Sequence, residues 1–485
     1  MPTSRASTGP SGPRTSVCGA VTDVPSSLLR RTAELAERWL ADLAGRPVGA
    51  GAGLAELRAA LGAPLPERGA SSEQVVEELA RAAEPGLVAS AGPRFFGFVI
   101  GGSHPAALGA DWLVSAWDQN PGLYAASPAV AVIEETAARW VLELLSLPPT
   151  ASVGFVTGAH MANFTALAAA RHEVLRRVGW DVEEWGLEGA PPLHVLVGTE
   201  AHVSIAGALR LLGFGAGRIR PIPADGQGRM QAGPLAEALE GVRGSVIVVA
   251  QAGNVNSGAF DPLDEIADLA AERGAWLHVD GAFGLWAAVS ETLRPLVAGA
   301  GRADSWATDA HKWLNVPYDS GIVAVAHPAA HRAAMGLDAS YLGAREDERR
   351  NGQDWVPELS RRGRGVPVYA VLRALGREGV VELVERSCGL ARRMARALDG
   401  RPGVRVVNEV VLNQVLVRFE PPGGGDADAF TREVIARVQA DGVCWLGGAR
   451  WSGMEVMRIS IVNWSTTDAD VDRSAEAILR CAAAG

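Results

Sequence analysis

The chain has 485 residues, of which 48% are hydrophobic and 21% charged, proportions of a folded protein with room for a large domain and smaller ones around it. Its formal net charge of −10 argues against a general nucleic-acid binder, because phosphate contacts need concentrated Lys and Arg. The cysteines Cys18, Cys388, Cys444 and Cys481 lack paired spacing, so neither a disulfide framework nor a zinc or other metal site is expected, and a reducing, cytoplasmic setting fits. No apolar run approaches the roughly 18 residues that span a bilayer, so no membrane partner is expected.

Residues 1–22 are rich in Ser, Thr, Pro, Gly and Arg without an apolar core and read as a flexible tail. Residues 23–110 read as a helical segment, with Leu28, Leu29, Leu35, Leu40 and Leu43 at roughly helical spacing. The cluster Pro93-Arg-Phe-Phe-Gly-Phe98 then interrupts, as a packed loop or as the wall of a substrate pocket. From 111 to 370 short β-branched or apolar runs at Leu193–Val197, Ser245–Ala250, Ala275–Val279 and Gly321–Ala326 alternate with helix-length stretches such as Met161–Val178 and Pro262–Arg273. That alternation predicts a large α/β domain with a mainly parallel sheet and helices on both faces, where ligands bind at the carboxyl ends of strands. From 371 to 485 a long helical stretch to Leu398 precedes strands at Val404–Val407, Gln414–Phe419 and Val456–Val462, a smaller α+β domain.

Four features carry chemistry. Thr157-Gly-Ala-His-Met-Ala-Asn163 is a small-residue turn entering a helix, where free N–H groups and the helix dipole make a phosphate site, or simply a helix entry. His202 follows a strand and precedes a helix; it stacks on a flat ring or caps a loop. Trp276-Leu-His-Val-Asp280-Gly-Ala282 ends a buried strand on an aspartate that needs a cationic partner, either a protonated pyridine nitrogen or a structural ion pair. Asp304-Ser-Trp-Ala-Thr-Asp-Ala-His-Lys312 sets a lysine in a tryptophan-rich apolar segment, where burial and nearby cations favour the neutral, nucleophilic amine.

In this order and spacing the four features resemble the group II pyridoxal-dependent decarboxylases, which include aromatic amino acid and glutamate decarboxylases. The likeness runs from Pro93-Arg-Phe-Phe-Gly through Ser127-Pro128 and Glu134-Glu135 to Met457-Arg-Ile-Ser-Ile-Val-Asn463. It implies pyridoxal-phosphate-dependent transferase fold type I, the aspartate-aminotransferase type, with a mainly parallel seven-stranded sheet in the large domain. It further implies a homodimer with sites at the subunit interface, pyridoxal 5′-phosphate as cofactor, and an L-amino acid as substrate, decarboxylated to amine and carbon dioxide. By the same resemblance Lys312 carries the cofactor in imine linkage, Asp280 binds the pyridine nitrogen, His202 stacks on the ring and Ala282 packs on its other side. Gly158, Ala159 and His160 occupy the phosphate cradle, with His311 close to the phosphate. Arg458 matches an arginine that in some relatives meets a substrate carboxylate, and is otherwise a buried structural arginine. Phe98 and the Trp112–Trp117 segment line a substrate pocket or pack the core, and the arginines at 361, 362 and 364 form a solvated face, a subunit contact or an acidic-substrate site.

Three departures stand out. His160 replaces the Ser or Thr usual in the cradle. Asp309 stands where decarboxylases of the group commonly have Asn; beside a phosphate it needs protonation or a partner, and His160 is the expected one. The loop tyrosine that returns a proton to Cα has no counterpart at Gly352-Gln-Asp-Trp355, and Tyr341 on the approach to that loop is the nearest substitute. Without such a donor, decarboxylation coupled to oxidative deamination is the alternative outcome. Asp309 also occurs in carbon–carbon lyases of the wider group, and a non-catalytic binding protein of the same fold is the reading from a different class.

Overall fold

A computed structural model describes residues 26–337 and 349–484. Among these, residues up to 87, apart from 46–49, form one compact unit, and 46–49 with the residues from 88 onward form another. The first unit holds helices Ser26–Asp42, Leu54–Leu61 and Ser72–Ala83, with Arg31 ion-paired to Glu77 between the first and third.

The second unit is built on a seven-stranded sheet. Its strands are β1 (Ser152–Val156), β2 (Leu193–Gly198), β3 (Ile219–Ile222), β4 (Ser245–Gln251), β5 (Trp276–Asp280), β6 (Ser305–Asp309) and β7 (Gly321–Val325), in the order β1-β7-β6-β5-β4-β2-β3. Strands β3, β2, β4, β5 and β6 run parallel, whereas β7 is antiparallel to both β1 and β6. The sequence Ser-Val-Ile-Val-Val-Ala-Gln of β4 is buried along nearly its whole length, as β-branched strands covered on both faces are. The mainly parallel α/β sheet and the helix at Met161–Val178, observed as Ala159–Arg176, agree with the sequence reading.

Helix Ala159–Arg176 is rich in alanine, and Ala162, Ala166, Ala168, Ala169 and Ala170 are buried. Small side chains let this helix lie close against β5, β6 and β7, which brings its polar residue Asn163 down onto the strand ends. A second, antiparallel sheet carries β8 (Val404–Val406), β9 (Gln414–Phe419), β10 (Gly447–Trp451) and β11 (Met454–Ser460), ordered β10-β11-β9-β8. Its apolar face packs around Val415, Val417, Phe419 and Ile459 with the helices Ala427–Asp441 and Asp468–Ala483. Among the described residues no helix is long and apolar enough to cross a membrane.

Candidate active site

Strands β2, β5 and β6 end on the same side of the sheet, and the polar residues singled out from the sequence cluster there. Asp280 is the last residue of β5 and only 4% exposed. Its Oδ1 accepts from the Ala282 N–H at 3.2 Å and its Oδ2 from the Asn163 amide at 3.2 Å. Burial pushes the carboxyl upward, while His202, Lys312, the Ala282 N–H and Asn163 favour the charged form. His202 caps helix Val203–Leu211: Nδ1 lies 3.3 Å from the Ser204 N–H and 2.8 Å from Ser204 Oγ. Burial lowers its pKa, and of the charges that act on it Asp280 is the largest. The cap formed is that of a helix rather than a loop, and it leaves the ring within the field of Asp280.

Lys312 lies in the turn that follows β6. Its Nζ is 2.9 Å from Asp309 Oδ2 and 5.8 Å from the Phe283 ring centroid. The backbone of this turn meets the segment after Phe98 closely: a Cβ on Gly101 would lie 2.2 Å from the Lys312 carbonyl oxygen, so only glycine fits there. Asn315 locks the contact, its Oδ1 accepting from the Gly102 and Trp464 N–H groups at 2.6 and 3.0 Å.

Asp309, at the end of β6, is 2% exposed. Its Oδ1 accepts from the Ala159 N–H at 2.6 Å, at the N-terminus of helix Ala159–Arg176, and lies 3.5 Å from His311 Nε2. The expected pairing with His160 is not what forms. His160 is exposed and its ring lies against Gly207, where a Cβ would come within 3.0 Å of Nε2. The first turn of the helix points the Ala159 amide at β6 and the His160 side chain away from it. Gly158 faces His311 and Asp309, which would lie 3.2 and 3.4 Å from a Cβ there.

Other expected residues stand further out. Arg458 on β11 is largely buried, donates to Asn256 Oδ1 at 3.3 Å, and contributes to the field at His202. Desolvation lowers its pKa, and among the described residues no carboxylate pairs with it. Phe98 is 60% exposed and packs on Trp445 at 5.2 Å; Trp112 and Trp117 are also exposed. Tyr341 lies outside the described residues. The arginines separate: Arg361 is buried in a bidentate pair with Glu134 at 2.7 Å, Arg362 meets Asp111 and Arg364 meets Asp319. A solvated face thus fails for Arg361, whose planar fork matches a buried carboxylate across the fold.

The donor set fits pyridoxal 5′-phosphate. Among the described residues Asp280 is buried yet hydrogen-bonded by neutral N–H donors alone, which leaves it lone pairs for a cationic ring nitrogen. Lys312 supplies a primary amine, and among the described residues the buried His311 Nδ1 has no hydrogen-bond partner. Asn163 and His278 lie within the sequence motifs and both bear on Asp280, Asn163 directly and His278 through it.

The pyridoxal-dependent decarboxylase conserved domain matches residues 55–420. The chain is 28% identical over 424 residues to the aromatic-L-amino-acid decarboxylase of Bacillus atrophaeus, covering 85% of each. It is 30% identical over 423 residues to the L-2,4-diaminobutyrate decarboxylase of Rhizobium meliloti (strain 1021), covering 86% of this chain and 83% of the relative. The crystal structure of Oryza sativa TDC with PLP and tryptamine superposes with a TM-score of 0.88 at 25% identity, over 96% of this chain and 99% of that one.

Proposed function

We propose that this chain, which belongs to the pyridoxal-dependent decarboxylase family and is a pyridoxal-phosphate-dependent carboxy-lyase, acts on an L-amino acid with its cofactor held covalently on Lys312. The observation that carries this reading is the buried Asp280 carboxylate, held by neutral donors within the electrostatic reach of Lys312 and His202. The cofactor, when bound, supplies an electron sink for the pair left on Cα as the bond to the carboxylate breaks. The remaining work falls to the chain. Asp280 keeps a cation at the ring nitrogen, and His202, neutral through burial, offers a flat face beside it. Lys312 gives up its amine to the linkage, and Arg458, with which no carboxylate among the described residues pairs, would meet one from the substrate. A proton returned to Cα completes the amine, with Tyr341 as the proposed donor. Carbon dioxide leaves with no net oxidation. Gly158 and Ala159 sit at the amino end of the helix that would face the phosphate.

The family resemblance further supports a cytoplasmic homodimer with Phe98 near the substrate. Light scattering of the purified protein checks the oligomeric state.

The test is to load purified protein with pyridoxal phosphate and screen L-amino acids for carbon dioxide, amine, aldehyde and peroxide. Lys312→Ala is expected to abolish carbon dioxide release, and borohydride treatment of the wild type to fix the cofactor to the Lys312 peptide. Carbon dioxide release retained by Lys312→Ala, no borohydride-fixed cofactor on the Lys312 peptide, or aldehyde and peroxide in place of amine, would overturn the assignment.

A further inference from the structure

Behind Asp280 a line of buried hydrogen bonds crosses the sheet and enters the helix above it. Trp276 Nε1 lies 2.9 Å from Ser305 Oγ, Ser305 Oγ is 2.9 Å from His278 Nδ1, and His278 Nε2 is 2.8 Å from Asn163 Oδ1. Asn163 Nδ2 then reaches Asp280 Oδ2 at 3.2 Å. Trp276, Ser305, His278 and Asn163 are fully buried.

The Asp280 end of this line dictates its direction, and the Trp276 end is compatible with it. The Asp280 carboxylate requires the amide NH2 of Asn163 toward it, which leaves Asn163 Oδ1 to accept from a proton on His278 Nε2. His278 Nδ1 is then bare and accepts from Ser305 Oγ, whose hydrogen is available because an indole N–H only donates and Ser305 accepts from Trp276. The opposite tautomer would press the amide oxygen against Asp280. Burial holds His278 neutral, its pKa pushed down to about 3, so the line keeps its direction across neutral pH. The Asn163 amide also lies 3.5 Å from Ser204 Oγ, which bonds His202 Nδ1. One amide therefore touches the carboxylate directly and reaches the histidine of the site through Ser204.

We propose that His278, acting through Asn163, is a positioning residue that fixes the amide in the one orientation keeping Asp280 charged and aimed at the cofactor. This rests on the reading of Asp280 as the partner of the cofactor ring. Residues that touch the reacting groups are arranged by partners behind them, whose loss typically weakens binding roughly tenfold to a hundredfold at metal sites.

Other charged groups also face Asp280. His202 and Lys312 act on it from neighbouring segments, and Glu200 and Asp261 line the same small cavity. All are common to the variants compared below, so differences between variants report on the His278 line. His278→Leu removes the donor while filling the space with apolar atoms. His278→Gln keeps an N–H near the position of the ring Nε2.

The experiment measures binding of pyridoxal phosphate to the cofactor-free protein as a function of pH. In His278→Leu affinity is expected to fall about tenfold. The midpoint of its acid-side loss should move upward by about one pH unit, because Asp280 ionises less readily. His278→Gln should restore both to near the wild-type values. Equal losses in both variants would reduce His278 to packing and overturn the proposal, as would no loss in either. The nitrogen-15 NMR shifts of His278 in the cofactor-free wild type, assigned by difference with His278→Gln, decide the same point without relying on a variant. A protonated Nε2 with a bare Nδ1 is expected; protonation at Nδ1 or on both nitrogens refutes the line. If the wild type takes up no pyridoxal phosphate, the functional reading fails, while the tautomer still tests the hydrogen-bond order.

Discussion

Asp309→Asn is expected to tighten cofactor binding. In the wild type the carboxylate sits between the Ala159 N–H at 2.6 Å and the Lys312 ammonium at 2.9 Å, an internal anion already installed where the helix N-terminus favours negative charge. A phosphate approaching the same turn meets that charge. At a separation of about 5 Å and an effective dielectric near 20, each unit of phosphate charge costs roughly 3 kcal/mol beside it. The Lys312 side chain, 2.9 Å from Asp309, offsets part of this. Asparagine keeps an oxygen for the Ala159 N–H and loses the charge, so the cap survives. A net gain of about 1.5–3 kcal/mol is expected, roughly 10- to 100-fold in Kd. The assay is fluorescence titration of the cofactor-free protein with pyridoxal phosphate, and in parallel with pyridoxal, which lacks the phosphate. The gain should appear for the first alone. Unchanged or weaker phosphate binding, or an equal gain with pyridoxal, refutes the reasoning.

Two further outcomes concern stability. Glu134→Ala leaves Arg361 charged and buried without its bidentate partner and is expected to cost about 3–5 kcal/mol in urea unfolding, whereas Glu134→Leu with Arg361→Met recovers most of that loss. His331, buried against Ser152 Oγ at 2.8 Å, has its pKa pushed down to about 3, below the roughly 6.5 of an unfolded histidine. Between those values the unfolded chain binds the extra proton, so stability falls as pH falls through the window. His331→Gln should therefore lose about 2–3 kcal/mol less than wild type between about pH 6.5 and 4.5. Asp261, raised to about 7 by burial, works in the opposite direction over the same window in both proteins and cancels from the comparison; identical slopes would discount His331.

The strands legible in the sequence are those dominated by a run of β-branched or apolar residues. Ser245–Gln251 and Gly321–Val325 satisfy that, and their positions agree with expectation. Ser152–Val156 and Ser305–Asp309 do not read as strands, being short and broken by glycine, tryptophan or polar residues; tertiary pairing rather than local preference makes them strands. The antiparallel place of β7 between β1 and β6 rests on pairings too distant in sequence for periodicity to register. The site divides in the same way. Asp280, Lys312 and His202 are visible because each ends or follows an apolar run with a residue that burial makes costly. Their partners are not visible: Asp309 meets the Ala159 amide 150 positions away, His278 meets Asn163 115 away, and Arg361 meets Glu134 227 away. No local pattern encodes those distances.

Two carboxylates stand at the ends of the adjacent strands β5 and β6, and their surroundings assign them different work. Asp309 is saturated from within, by a backbone amide on one oxygen and an ammonium on the other, and its role is internal order. Asp280 is held by neutral donors only, so the field that would stabilise its charge is incomplete until a cation arrives. Exchanging those environments would exchange the roles, since residue type and depth of burial are nearly the same at both positions. On the proposed reading, a preference for a cationic ring at the Asp280 strand end, and a cost to phosphate binding at the Asp309 end, would follow from which donors face each aspartate. Asn163, which supplies one of the Asp280 donors, is the side chain through which the fold sets that difference.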